Sequence, residues 1–129
     1  MTTIKNEKPR GELSLRTLAM PADTNPSGDI FGGWLLSQMD IAGALVANQI
    51  AQGRVATIAV DSMVFHLPVY VGDVVCCYAE TLKTGRTSLT MLVQVWVLRQ
   101  NSTSRHKVTE GEFTYVSIDA DRKPKPIEN

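Results

Sequence analysis

The run Asp29-Ile-Phe-Gly-Gly-Trp-Leu-Leu-Ser-Gln-Met-Asp40-Ile-Ala-Gly-Ala-Leu-Val-Ala-Asn48 constrains the fold more than any other part of the chain. It is rich in Leu, Met and Ala, and its only charge after Asp29 is Asp40. Residues 30–53 have the length for about six helical turns. Trp34, Leu35, Leu36, Met39, Ile41, Ala42, Leu45, Val46 and Ile50 fall on nearly every side of such a helix. A helix that is apolar all round is either enclosed by other structure or a membrane span. Ser37, Gln38, Asp40, Asn48, Gln49 and Gln52 interrupt the run too often for a bilayer. The expectation is a helix wrapped by other structure, with one carboxylate inside. Asp29 is the N-cap candidate and Gly53 the residue that closes the helix.

The remaining totals narrow the class. A chain of 129 residues suits one domain with one core. With 13 basic and 13 acidic residues it carries no net field that would favour nucleic acid or an anionic membrane. The first ten residues are polar and lack the apolar stretch of a signal peptide. Cys76 and Cys77 are adjacent and would point to opposite faces of a strand, so they cannot easily bridge each other. No Cys-x-x-Cys and no His cluster suggests a metal. These features suit a reducing cytoplasm.

Around the helix the pattern is that of strands. Residues 11–20 read as the first. Residues 21–29 are dense in Pro, Gly, Asn and Asp, which is loop chemistry. Residues 55–67 form a β-type run stopped by Pro68, and Val71-Gly72-Asp73 reads as a turn. Further runs cover 73–82, 87–99 and 105–119, joined by a tight Lys83-Thr-Gly-Arg86 connection and a polar loop at 100–104. Leu89, Met91, Val93, Val95 and Val97 alternate strictly. Residues 1–10 and 120–129 are expected to be loose. Short links imply antiparallel neighbours, so the four strands after the helix are expected to run as a meander. Such a sheet can cover only one side of a helix. A second copy of the chain is therefore expected over the other side, with the helices near a two-fold axis.

At this point the chain resembles a known family. The segments Ala22-Asp-Thr-Asn25, Gly28-Asp-Ile-Phe-Gly-Gly-Trp34, Met39-Asp40 and Val71-Gly-Asp-Val-Val-Cys-Cys-Tyr78 look like those of the YciA-type acyl-CoA thioesterases. The resemblance runs from about Gly11 to Asp119. It implies an α+β hotdog fold, a five-stranded antiparallel sheet wrapped around one long central helix, in a single domain. It implies hydrolysis of acyl-coenzyme A without metal or other cofactor, and a trimer of dimers. It also implies that Asp40 is the acid of the helix, Asn25 its partner in the preceding loop, and the Gly32 N–H the group facing the thioester carbonyl. Many hotdog relatives carry His before Gly-Gly, whereas this chain has Phe31.

The residues support that chemistry independently. Thioester hydrolysis needs an activated water or nucleophile and donors for an oxyanion. Gly32 and Gly33 fall in the first helical turn, where N–H groups lack internal acceptors and the dipole favours negative charge. The competing reading is a glycine pair that lets a strand pack close. Asp40 among Met39, Ile41 and Ala42 is expected to be desolvated, which raises the basicity of a carboxylate and suits it as general base. The alternative route is attack by the same carboxylate on the carbonyl as a nucleophile, forming an anhydride. Its competing role is a buried cap or cross-interface pair. Asn25, next to Pro26, reads equally well as an Asx-turn. Ser37 reads as bonded to the preceding turn rather than to Asp40, and His66 and His106 as structural. The wall of an acyl tunnel is expected to include Trp34, Met39, Met63 and Phe65. Gly33 and Asp40 lie roughly 10.5 Å apart along a helix axis. One carbonyl cannot touch both. The expectation is a composite site, with Asn25 and Gly32 from one subunit and Asp40 from another.

Coenzyme A would bring phosphates. Lys83, Arg86, Thr87 and Ser88 around the glycine turn are candidates to bind them, as are Arg54 and the tail residues Lys123 and Lys125. A solvated hairpin tip is the competing reading. Two other functions fit parts of the pattern: a non-catalytic acyl-CoA-binding module, and a hotdog dehydratase, which would want a His that residues 1–65 do not contain.

Overall fold

The computed structural model describes residues 7–127. Strand β1 (Glu12–Leu18) leads through a short 3-10 turn (Pro21–Asp23) to helix α1 (Gly32–Ala51). Strands β2 (Val55–Phe65), β3 (Val74–Thr84), β4 (Ser88–Leu98) and β5 (Arg105–Ser117) follow. All pairings are antiparallel, in the order β1-β3-β4-β5-β2. This is the expected five-stranded hotdog sheet with its long helix. No helix of the described residues is long and apolar enough to cross a membrane.

One topological expectation fails. Only β3, β4 and β5 form a meander. Strand β2 does not turn back onto β3 but pairs with β5 at the far edge, with Thr57 opposite Tyr115. The link from β2 to β3 is no hairpin. It crosses the mouth of the sheet and is tied to the loop before the helix: Ile30 N–H donates to the Val69 carbonyl (2.9 Å) and Gly72 N–H to that of Ala19 (2.9 Å). Asp73, almost wholly buried, accepts from Tyr70 N–H and pairs with Arg99 at 3.6 Å. The Arg99 guanidinium also lies 4.6 Å over the Tyr70 ring and donates to the Pro68 carbonyl. This clamp fixes the crossing segment against which the helix begins.

The strict alternation in β4 is borne out. Leu89, Met91, Val93, Val95 and Val97 all face the core, where Leu35, Met39, Ala42, Val46 and Ala47 of α1 meet them. The helix, however, is enclosed on one side only. Leu36, Ile41 and Leu45 remain exposed, and so do Ile58, Val60, Val64 and Phe65 along the β2 edge. The apolar helix face is the surface expected to meet a second copy, and the structure adds an open apolar strand edge beside it.

Helix and tail boundaries differ from expectation as well. Asp29 is not the N-cap. Phe31 occupies that position and makes no side-chain cap bond. At the other end Gln52, not Gly53, is the left-handed residue, and the Asn48 side chain donates to the Gly53 carbonyl. The segments expected to be loose are partly tied down. Arg10 N–H donates to Gln94, Glu7 pairs with Lys107, and Lys125 N–H and Ile127 N–H bond to Ser117 and Arg86 carbonyls. The rest of that expectation, residues 1–6 and 128–129, lies outside the described residues.

Candidate active site

Asn25 stands at the head of a five-residue turn. Its Oδ1 accepts from the N–H groups of Ser27 (2.9 Å) and Asp29 (3.1 Å), while its own N–H donates to the Asp29 carbonyl (2.7 Å). Gly28, at φ +91°, supplies the left-handed residue that closes the turn. The Asx-turn is therefore real, and it fixes the amide. With Oδ1 occupied twice, the Nδ2 end is left to donate.

That turn delivers the chain to the helix start. Trp34 and Leu35 N–H groups both use the Phe31 carbonyl, and Gly32 and Gly33 N–H have no acceptor among the described residues. A Cβ at Gly33 would meet nothing within 4 Å, and one at Gly32 only the Phe65 ring at 3.4 Å. Close packing within the chain does not require this glycine pair. Asn25 and Gly32 share a groove of about 350 Å³ with Phe65, His66 and Pro68. His66 lies on its wall, with its backbone N–H bonded to Val108.

Asp40 lies elsewhere. It lines a second groove of about 260 Å³ together with Gly33, Leu36, Thr57, Val60 and Phe113. It is half-buried, not enclosed, on a helix face that meets β2 and β5 of the sheet. Thr57 Oγ1 donates to its Oδ1 at 2.6 Å, and the Tyr115 phenol reaches the same oxygen at 3.2 Å and the Asp40 carbonyl at 3.0 Å. Burial, then the Asp40 charge and the bond to it, push the Tyr115 hydroxyl well above its ordinary ionisation range, so it stays a donor. Thr57 and Tyr115 escaped sequence reasoning. Their only signal is a strand register that no local pattern states.

Other expected residues are placed plainly. Ser37 Oγ donates to the Trp34 carbonyl (2.7 Å) and not to Asp40. Gln38 accepts from Thr17, away from the acid. Met39 is wholly buried in the core and lines neither groove, contrary to the expected tunnel wall. Phe65 does line the Asn25 groove, whereas Met63 packs beside Gly111. Cys76 and Cys77 are free and buried, and burial, with Cys76 alongside, pushes the Cys77 thiol up to about 12. Lys83, Arg86, Thr87 and Ser88 sit at the β3–β4 hairpin and line neither groove. Arg54 borders a third, larger groove with Asn48, Thr57 and Arg122. A single chain thus does not join the cationic candidates to Asn25 and Gly32.

Comparisons with known proteins identify the family and the fold. The model of the thioesterase superfamily matches residues 27–103. The chain is 58% identical to the acyl-CoA thioester hydrolase YciA of Salmonella typhimurium, covering 98% of this chain and 97% of that one. Among solved structures it is similar to the hexameric thioesterase y2039 from Yersinia pestis (TM-score 0.90, 59% identity, 95% of this chain and 99% of that one). It is also similar to HI0827, a hexameric broad specificity acyl-coenzyme A thioesterase (TM-score 0.90, 50% identity, 99% and 89%).

Proposed function

Because the chain belongs to the thioesterase superfamily and, within it, to the YciA-type acyl-CoA thioester hydrolases, we propose that its two grooves meet between subunits to form the hydrolytic site. The protein is an acyl-CoA thioesterase that releases a free acid and coenzyme A. The observation that carries the site reading is the division of the machinery. Asn25 and Gly32 line one groove, and Asp40, with Gly33, lines another. Two helices antiparallel across a two-fold axis bring Asp40 of one copy to Gly32 of the other. The exposed apolar faces of α1 and β2 supply the contact. Three such dimers make the hexamer for which the solved relatives are named.

In this reading Asp40 takes a proton from water as the water oxygen attacks the thioester carbon. The carbonyl oxygen, now negative, is held by the Gly32 N–H, with Asn25 Nδ2 as a further donor. The tetrahedral adduct collapses, the carbon–sulfur bond breaks, and the proton passes from Asp40 to the departing coenzyme A thiolate. Water and side chains balance the reaction, and no metal or further cofactor enters it. Lys83, Arg86, Thr87, Ser88 and Arg54 are assigned to the phosphates of a coenzyme A held by a neighbouring copy, since they lie away from the amides of their own chain. A cytoplasmic setting suits the two free thiols.

The test is free-thiol release from acyl-CoA by purified protein, with Asp40→Asn beside it. The expected loss is about 10²–10⁴-fold. A folded Asp40→Asn protein with full activity would remove Asp40 from the chemistry. In single-turnover hydrolysis in ¹⁸O-water, the label is expected in the product acid and not in Asp40.

A further inference from the structure

We propose that Tyr115 is a positioning residue for the hydrolysis, selecting which oxygen of Asp40 serves as the base. The inference rests on the reading of Asp40 given above. The Tyr115 hydroxyl has one proton and two acceptors on the same residue, the Asp40 carbonyl at 3.0 Å and Oδ1 at 3.2 Å. Thr57 donates to that same Oδ1 at 2.6 Å. Oδ2 receives no hydrogen bond from the described residues. The carboxylate is therefore pinned by one oxygen and presents the other to the groove.

Tyr115 cannot touch substrate, since its side chain is wholly buried. Its ring stacks on Phe113 with centroids 6.4 Å apart and lies over Gly43, where α1 has no side chain to displace it. Its hydroxyl position is therefore set by packing and not by the ligand. Around Asp40 the helix supplies Gly33, Leu36 and Ser37, β2 supplies Thr57 and Val60, and β5 supplies Phe113 and Tyr115. Tyr115 is the one titratable group among these. Burial and the adjacent carboxylate keep it protonated across the working range, so it acts on Asp40 by donation alone.

The deciding variant is Tyr115→Phe, which keeps the ring, its stacking partner and the space over Gly43. The expected result is a fall in kcat of about 10–100-fold, the size of one lost hydrogen bond to a charged group. KM for acyl-CoA should stay within about twofold, because the binding contacts are elsewhere. The acid limb of the kcat/KM profile should move to higher pH, since a carboxylate that loses a donor is harder to ionise. Site-specific 3-fluorotyrosine at 115 supplies a second, shape-preserving probe. Its more acidic hydroxyl is a stronger donor and should move the limb the opposite way. A Tyr115→Phe enzyme with unchanged kcat and pH profile, or equal profiles for tyrosine and fluorotyrosine, overturns the proposal. An active Asp40→Asn control would instead overturn the site reading, and this inference with it.

Discussion

Gly43 and Tyr115 claim the same volume. A Cβ placed on Gly43 would overlap the Tyr115 phenol oxygen and come within 3.0 Å of its Cζ. The glycine is what lets α1 settle onto β5 closely enough for the phenol to reach the backbone and side chain of Asp40, three residues earlier on the helix. Gly43→Ala should therefore cost stability and activity together. Overpacking of this kind is worth about 1–3 kcal/mol, read as a lower Tm in thermal unfolding. If Tm and kcat are both unchanged, the contact has been misread.

Asn25→Asp separates the loop from the chemistry. The new carboxylate can still accept from Ser27 and Asp29 N–H, so the turn should persist. The donating end is lost. The expected fall in kcat is about 10²–10³-fold, as for loss of an oxyanion donor.

Mixing subunits tests where the site lies. When inactive Asn25→Asp and Asp40→Ala chains exchange, a mixed dimer regains one complete site of two. An equal mixture should recover about a quarter of wild-type activity if sites form across a two-fold axis. No recovery, with exchange confirmed by mass spectrometry, would place both groups in one chain.

The outer face of the sheet predicts an acid sensitivity. Burial raises the pKa of Glu110, but bonds from Gln94 and Lys107 and the nearby positive charges outweigh it, and the net shift is downward. A carboxyl lowered on folding stabilises the protein above its unfolded pKa, about 4.3, and loses that effect as pH falls through the lower folded value. Glu110→Gln should therefore lower Tm most near neutral pH, with the gap to wild type closing in acid. A gap that stays constant from neutral pH to about pH 3 would contradict this assignment.

The β2 edge predicts the assembly. Ile58 is 59% exposed and Val64 54%, beside the open face of α1. Ile58→Asp places a charge where two edges would meet, which disfavours pairing. Sedimentation should show smaller species, and activity should fall with the shared site. An intact, active oligomer would direct attention to a different face.

Much of this molecule was legible locally. The apolar helix, its opening glycine pair, the five strands and the inward alternation of β4 follow from periodicity and turn chemistry. Those depend on neighbours a few residues away. Asp40 and Asn25 could be singled out for a related reason, because a lone acid in an apolar helix and an Asn in a Pro/Gly loop stand out against their surroundings.

What the sequence alone determined, then, is the set of elements and the side each one buries. Which strands pair was decided only in three dimensions. Strand β2 joins β5 because the Arg99 clamp and the loop before α1 carry residues 66–73 across the sheet, and no local pattern encodes that path. The same pairing brings Thr57 opposite Tyr115 and aims both hydroxyls at one carboxylate oxygen. Hydrogen bonds between residues distant in the chain depend on register, and register is a property of the packed sheet, not of either strand by itself.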